Sequence, residues 1–346
     1  QILVKAVICL MNQVTAMEYT WQIIPLFPLT AVAGSYLLLL TALVYAKTKK
    51  SRVWIWVCGG AGFYLIFVAV IHPACLKNND RTPSPSLTLT AIDVGQGASI
   101  FIHDSDQKKI LIDGGGFSGL SAFDTGRYIV APFLWHRNIA ELDIVILTHP
   151  ESDHLNGLIY ILKHFTIKRL IKNKDENDSN AYRELMQLCR KKKIQIIHPA
   201  YYPHVHRLGR IELIFFNQSA TDEDFNNGSL VCQIKHDHIR VLIPGDILSE
   251  RETRLARGYG SLLKSDLLIA PHHGSATSST QFFLDKVQPK SVIIPCGWRN
   301  RYGFPHPEVL ERYRRMGTAV FRTDQDGAVI VTSSAGKNRI ATHGGP

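Results

Sequence analysis

Four potential metal ligands lie within six consecutive positions of this chain. His149, Glu151, Asp153 and His154 follow the apolar run 144–147, so they leave a buried strand on a short loop. Imidazole nitrogens and carboxylate oxygens held in one small volume are the ligand set that borderline and hard divalent metals favour. A solvated polar loop with two histidines is the alternative, and three further strand ends count against it. The segment is therefore predicted to bind metal.

Each of these three strand ends follows an apolar run and carries a potential ligand or a residue that orients one. Asp246 comes after Gly245 at one strand end, where its carboxylate is placed to bridge two metals. The adjacent His272 and His273 come at another, and their spacing alone leaves open which of them is the ligand. Asp113 precedes three glycines and is predicted to hydrogen-bond the neighbouring loop, thereby orienting the ligands.

The elements that must position these residues form an α/β pattern. Predicted strands and helices alternate from about Leu87 to Thr332, with helices over 124–133, 155–164 and 278–285 and a final strand pair at 319–323 and 328–332. Strands joined by crossover helices indicate an α/β fold, in which sites form where strands end in loops.

The first 76 residues have a different character. Segments 21–46 and 53–76 carry essentially no charge, and each is long enough to cross a hydrocarbon core, which needs about 20 apolar residues. A buried core helix is the alternative, but soluble domains rarely contain such long helices without a polar face. The basic loop 47–52 between them is predicted to be cytoplasmic, which places the rest of the chain on the opposite side of the membrane. Residues 77–86 form a predicted linker, and 87–346 a separate domain.

The overall charge favours anionic partners. The formal net charge is +10 and the pI is about 9.3, as expected for contact with nucleic acid or lipid head groups. The six cysteines show no Cys-x-x-Cys pair or zinc-knuckle spacing, so they are predicted to be buried thiols. The chain begins with Gln1 and has no initiator methionine, which we interpret as a fragment of a longer protein.

The order of these motifs resembles the metallo-β-lactamase superfamily. More narrowly, it is similar to the C-terminal domain of the ComEC family of DNA-internalisation competence proteins. The narrower resemblance covers about 87–332 and rests on five phrases: IDVGQG at 92–97, NGSLV at 227–231, PHHGS at 271–275, NRYGFPHP at 300–307 and FRTDQDGA at 321–328.

The resemblance implies an αββα sandwich preceded by transmembrane helices, with one or two manganese or zinc ions at the sheet edges. The implied metal ligands are His149, Glu151, Asp153, His154, Asp246 and one or both of His272 and His273. Asp153, His154 and Asp246 are the implied catalytic residues, with Asp113 and Asn227 supporting them. Arg299, Asn300 and Arg301 are candidates to hold DNA phosphates, the alternative being a solvated basic loop.

The same resemblance implies hydrolysis of DNA phosphodiester bonds during natural transformation. One strand would be degraded while the membrane part, multi-pass in the bacterial inner membrane, imports the other single strand together with further uptake components. This chain departs from the family pattern at Glu151, where Asp is usual, and at Ala98, where Asp usually follows Gly97. Two alternatives follow: a catalytically silent domain that guides DNA, or a hydrolase of another phosphodiester.

Overall fold

The computed structural model divides the chain into two compact units, Gln1–Pro83 and Ser84–Pro346. It describes residues 33–34, 36–41, 59–64, 86–117, 123–174, 176–199, 204–216 and 225–344. The described residues of the first unit are helical, and most of the predicted spans 21–46 and 53–76 lies outside them, as does the predicted linker up to residue 85. Among the described residues, no helix is both long and apolar enough to cross a membrane.

The second unit contains two β-sheets. The strands of the first are β1 (Leu87–Ala91), β2 (Ile100–Asp104), β3 (Lys109–Ile112), β4 (Glu141–Leu147), β5 (Thr166–Lys172), β6 (Gln195–Ile197), β14 (Ala328–Ser334) and β15 (Lys337–His343). They pair in the order β15-β14-β1-β2-β3-β4-β5-β6, with β3 to β6 parallel.

The strands of the second sheet are β7 (His204–Leu208), β8 (Ile211–Phe215), β9 (Cys232–His236), β10 (Ile239–Ile243), β11 (Leu267–Ile269), β12 (Ser291–Ile294) and β13 (Ala319–Arg322). Their order is β13-β12-β11-β10-β9-β8-β7, and β10 to β13 are parallel. Parallel strands end at the same edge, which allows residues from separate parts of the sequence to meet there.

Seven α-helices lie within the described part of the unit, besides a π-helical turn at Gly126–Val130 and two 3-10 turns at Gly260–Leu263 and Pro271–Gly274. The α-helices are α1 (Ala131–His136), α2 (Ser152–His164), α3 (Asn180–Lys191), α4 (Ser249–Tyr259), α5 (Gln281–Val287), α6 (Pro307–Arg315) and the short α7 (Thr323–Asp326). Helices α1 to α3 pack on the outer face of the first sheet, and α4 to α6 on that of the second. Apolar residues such as Leu89, Ile146 and Ile234 fill the space between the sheets. The predicted αββα sandwich is confirmed.

Some elements differ from the prediction. The two strands predicted at 319–323 and 328–332 are present as β13 and β14, but they belong to different sheets. They are not the last strands, because β15, which was not predicted, follows β14 and forms the sheet edge with mostly exposed, polar residues. Strand β7 was likewise not predicted. Helix α5 begins at Gln281, not at 278, because the Thr280 hydroxyl accepts a hydrogen bond from the Phe283 amide and caps the helix there.

Candidate metal centre

The predicted ligands converge because both sheets end their parallel strands at one edge. Asp113 follows β3, the segment 149–154 follows β4, Asp246 follows β10 and His273 follows β11. Helix α2 begins at Ser152, earlier than predicted, so Asp153 lies in its first turn. A carboxylate there is stabilised by the unpaired amides of the helix N-terminus.

The central group of side chains is compact. Nε2 of His154 lies 3.3 Å from Oδ1 of Asp246 and 3.3 Å from Nε2 of His273. Oδ2 of Asp246 lies 3.2 Å from Nε2 of His273, and Oδ2 of Asp153 lies 3.6 Å from the same nitrogen. Two sets of ligand atoms within 4.8 Å of one another result: His149, His154 and Asp246, and Asp153, His154 and His273. His154 belongs to both sets, and because its Nε2 offers a single lone pair it can bind one ion; a second ion would be held by the other ligands of the remaining set.

The three histidine rings are fixed through their Nδ1 atoms. Nδ1 of His154 lies 2.8 Å from Oδ2 of Asp113, and Nδ1 of His273 lies 2.8 Å from the Pro295 carbonyl oxygen, which can only accept. Nδ1 of His149 lies 3.1 Å from the Thr148 hydroxyl. Each Nδ1 thereby holds the ring while Nε2 is left for the cluster, which is how protein histidines are oriented to bind metals.

His149 gives the clearest test of whether the residues fit a metal. Its side chain is fully buried, and among the described residues its Nε2 has no hydrogen-bond partner. Burial and the neighbouring His154 lower the pKa of His149 to about 3, so the ring is neutral and offers a lone pair. A buried polar atom without a partner is costly, and a cation beside it removes that cost. The residues present therefore fit a divalent metal.

The charges of the cluster point to the same ligand. Burial raises the pKa of Asp246, but the adjacent His273 and His154 outweigh it and hold that pKa well below its usual value. Burial likewise opposes protonation of His273, yet Asp246 and Asp153 raise its pKa to about 10. The buried carboxylates thus require positive charge beside them. A divalent cation supplies it in place of the imidazole protons, so binding would release protons.

Two of the predicted ligands lie outside both sets. Nδ1 of His272 lies 3.3 Å from the Thr277 hydroxyl, and the geometry therefore favours His273 over His272 as the inward-facing histidine. Glu151 lies at the rim with its side chain 39% exposed, and its Oε2 is 3.9 Å from Nε2 of His149. Its carboxylate is thus near the cluster without belonging to its buried part.

The two supporting residues act in different ways. Asp113 holds the ligand loop directly, because its carboxylate accepts hydrogen bonds from the Thr148 amide at 2.8 Å and the Thr148 hydroxyl at 2.7 Å, besides contacting His154. Asn227 does not touch the cluster. Its Oδ1 accepts a hydrogen bond from the amide of Leu248, two residues after Asp246, and so holds the loop that carries this carboxylate.

The predicted phosphate-binding segment also separates into two roles. The side-chain nitrogen of Asn300 donates to the carbonyl oxygens of Gly297 and Phe304 at 2.9 and 2.6 Å. Its side-chain oxygen, Oδ1, accepts from the backbone amide of Phe304 at 2.9 Å. The structure thus makes Asn300 a residue that shapes its own loop. Phosphate binding stays a prediction for Arg299 and Arg301.

A cavity of about 600 Å³ opens beside the cluster. Asp153, Asp246 and His273 line its inner part, whereas its outer wall is aromatic. That wall was not predicted, although aromatic residues alternating with arginines in WRNRYGF at 298–304 could have indicated it. The roles of Thr148 and the Pro295 carbonyl were also missed, since both depend on contacts with distant segments.

The loop Gly95-Gln96-Gly97 closes the cavity against the ligand segment. Gly97 has φ +93°, and a Cβ there would collide with the Asp153 carbonyl oxygen, so only glycine lets the two loops pack. Ala98 next to it accepts a hydrogen bond through its carbonyl from the Gly115 amide at 2.8 Å. The backbone at Ala98 therefore ties this loop to the turn after Asp113.

Comparison with known proteins identifies relatives of this chain. The family model of the metallo-β-lactamase superfamily matches residues 92–298. ComE operon protein 3 of Bacillus subtilis (strain 168) is 30% identical over 311 residues, which cover 87% of this chain and 38% of that protein. Recombination protein 2 of Haemophilus influenzae is 31% identical over 283 residues, or 82% and 32% of the two chains. The chain thus spans about a third of the length of these relatives.

Among solved structures, the chain is similar to CmlA, a diiron β-hydroxylase from Streptomyces venezuelae. The TM-score is 0.47 at 15% sequence identity, and the match covers 75% of this chain and 55% of that one.

Proposed function

The chain belongs to the metallo-β-lactamase superfamily, and we propose that its second unit hydrolyses DNA phosphodiester bonds in a membrane protein of natural transformation. The observation that carries the proposal is the pair of ligand sets that share His154 beside an open cavity. The similarity to ComE operon protein 3 supports DNA as the substrate and bacterial DNA uptake as the process.

The residues present account for the chemical requirements of such a site. Bound divalent ions, manganese or zinc, would polarise a phosphoryl oxygen and lower the pKa of water. His149, Asp153, His154, Asp246 and His273 would hold them, with Glu151 completing the shell at the rim. Without a cation, the carboxylates facing the cavity would repel the phosphates of DNA. Arg301, which lines the outer wall, and Arg299, whose guanidinium lies beside Trp298 of that wall, are suited to hold phosphates as the strand enters.

We further propose that the first unit anchors the protein in the bacterial inner membrane, with the second unit on the extracytoplasmic side. A Cβ at Gly62 would lie 2.9 Å from Cγ of Leu38 and 3.0 Å from the Gly34 carbonyl oxygen, so these helical residues pack closely. Large apolar side chains around that contact are exposed: Tyr36, Leu39, Leu40, Phe63 and Tyr64. Small residues at helix contacts and apolar residues facing outward are typical of membrane helices.

A catalytically silent domain that guides DNA is the second candidate. The observation that favours it is the position of Glu151, which lies outside both compact ligand sets and replaces the aspartate usual in the related family. Such a domain would still bind metal and DNA but would leave the strand intact.

Cleavage of labelled single-stranded DNA by the whole chain, supplied with Mn²⁺, distinguishes the two candidates. We expect the strand to be degraded, and Asp153→Ala and Asp246→Asn each to reduce the rate by at least about a hundredfold, since both remove a ligand of the reacting ions. Asp285→Asn, an exposed carboxylate on α5, is the matched control and should leave the rate unchanged.

Binding of DNA without cleavage under any divalent metal, by a chain shown to be folded, would support the silent domain instead. Cleavage that survives Asp246→Asn would mean that the reaction takes place elsewhere.

A further inference from the structure

The outer wall of the cavity carries aromatic rings with arginines beside them. We propose that residues 298–304, called the aromatic loop from here on, stack the bases of a single-stranded nucleic acid and lead that strand to the metal centre. This inference rests on the proposed function, because it assigns a binding surface to the same substrate. The aromatic loop would hold the bases, whereas the metal centre would act on the phosphodiester bond.

Aromatic contacts run without interruption from the surface to the cluster. The rings of Tyr302 and Phe304 are stacked, with centroids 5.4 Å apart and planes 17° from parallel. The Phe304 ring meets the edge of His272 at 5.6 Å, and His272 meets His273 of the metal centre at 6.5 Å. A strand whose bases lie on the outer rings would therefore lie beside the metal ligands.

The outermost rings of the aromatic loop are exposed. Trp298 is 61% exposed and Tyr302 is 45% exposed, and both line the cavity. The guanidinium carbon of Arg299 lies 4.4 Å from the ring centre of Trp298, and that of Arg301 lies 4.8 Å from that of Tyr302. Aromatic faces combined with arginines are the usual surface for unpaired bases, because every base offers a π-face. A duplex hides those faces, so the loop favours single strands.

The aromatic loop is held in shape before any strand arrives. Asn300 makes the three hydrogen bonds to Gly297 and Phe304 described above. The next segment packs on the turn that carries His273, where a Cβ at Gly274 would lie 2.7 Å from Cβ of Pro305 and where the His306 amide donates to the Gly274 carbonyl at 2.9 Å. A preformed surface loses little conformational entropy when it binds.

A membrane surface is the other partner that exposed tryptophan and tyrosine commonly contact. The observations favour nucleic acid, because Trp298 and Tyr302 line a cavity together with Asp153 and Asp246. A flat bilayer does not enter a cavity, whereas a single strand can.

Binding of two oligonucleotides by the whole chain tests the proposal. One is an oligothymidylate of about 12 nucleotides, within the size range of single-strand sites, and the other is an abasic strand of equal length and charge. Binding is measured by fluorescence anisotropy, with Ca²⁺ in place of Mn²⁺ and with a gel to show that the strands stay intact. We expect the oligothymidylate to bind at least about tenfold more tightly.

The variants separate base stacking from phosphate contact. Trp298→Ala and Tyr302→Ala should each weaken oligothymidylate binding by about five- to a hundredfold, the factor that the loss of one stacked base corresponds to, and should leave the abasic strand unaffected. Tyr302→Phe keeps the ring and should retain binding. Phe282→Ala is the control, because Phe282 is an exposed ring with the Lys286 ammonium 5.6 Å from its centre, on α5.

Equal binding of both strands, or aromatic variants that affect both strands alike, would overturn the proposal. Unchanged DNA binding together with weaker binding to vesicles of anionic phospholipid would assign the loop to the membrane instead. Cleavage of the abasic strand in Mn²⁺ tests the proposed hydrolysis separately, because it needs no bases. A chain that holds bases through Trp298 but cleaves neither strand would contradict the hydrolysis and leave this inference intact.

Discussion

Asp113 is hydrogen-bonded to His154, one of the proposed ligands, and orients its ring towards the others. Its Oδ2 accepts from both Nδ1 of His154 and the Thr148 hydroxyl, and its Oδ1 accepts from the Thr148 amide. One carboxylate therefore fixes a ring and the start of the ligand loop at the same time.

Asp113→Asn should weaken the binding of Mn²⁺ or Zn²⁺ by about 10- to 100-fold, because asparagine offers one acceptor oxygen where Asp113 uses two, so either the His154 ring or the amide of Thr148 loses its acceptor. The affinity can be measured by competition with a chromophoric chelator, with Asp285→Asn as the control. An affinity equal to that of the unchanged chain would show that Asp113 has no part in orienting the ligands.

The sequence predicted some of these residues better than others. His149, Asp153 and His154 are close in the chain, so their spacing alone brought them together. The choice between His272 and His273 depends on two successive residues with positive φ and on a carbonyl 22 positions away, which no local pattern contains. Asn300 was assigned to phosphate because its bonds to Phe304 are visible only in the folded loop.

At the scale of elements, helix α5 begins in a turn that is held by a residue of α4. The Glu252 carboxylate accepts hydrogen bonds from the backbone amides of Ser279 and Thr280, at 2.5 and 2.7 Å. Burial raises the pKa of Glu252 from 4.5 to about 7, although these amides act in the opposite direction. The turn follows His273, so this anchor also supports the inward-facing histidine.

Glu252 should make stability depend on pH. The pKa of Glu252 is higher in the folded chain than in the unfolded chain, so the folded state holds the proton more tightly. The stability that this contributes is fully present below about pH 4.5 and is lost as the pH rises through 7. Between pH 5 and pH 8, the free energy of unfolding in urea should fall more for the unchanged chain than for Glu252→Gln, by at most about 3 kcal/mol.

Glu250→Gln is the control for this experiment, because Glu250 lies exposed in the first turn of the same helix. The free energy of unfolding of Glu250→Gln should depend on pH in the same way as that of the unchanged chain. If Glu252→Gln also matched it, the buried carboxyl would not be the group that titrates.

Strands were predicted well where apolar residues recur, as in β4 and β10, which are buried on both faces. Strand β15 could not be found in this way. Its side chains are mostly exposed and polar, and it is a strand because its backbone pairs with β14 along seven residues. Pairing of this kind is set by the neighbouring strand and leaves no periodicity in the sequence.

At the scale of the whole molecule, the proposed centre joins the two sheets. His149, Asp153 and His154 come from the first sheet's edge, and Asp246 and His273 from the second. A bound ion would therefore cross-link the two halves of the sandwich. Apart from this edge, the sheets are held together by the apolar core between them.

Metal binding should accordingly raise the thermal midpoint of the second unit. At a metal concentration of about 100 times Kd the folded state gains about 2.7 kcal/mol, since the unfolded chain has no assembled site. Calorimetry should show an upward shift with Mn²⁺ or Zn²⁺ for the unchanged chain and for Asp285→Asn, and little shift for Asp246→Asn. Equal shifts in all three chains would mean that the metal binds elsewhere.

The central claim is that divalent ions bind between the edges of the two sheets. Anomalous diffraction from crystals of the Mn²⁺- or Zn²⁺-loaded protein locates such ions directly. We predict one peak at about 2.0 to 2.3 Å from Nε2 of His154 and from the nearest Asp246 oxygen, and, if a second ion binds, a second peak beside Nε2 of His149 or of His273. A folded, metal-saturated crystal whose anomalous peaks all lie away from His154 and Asp246 would contradict the account.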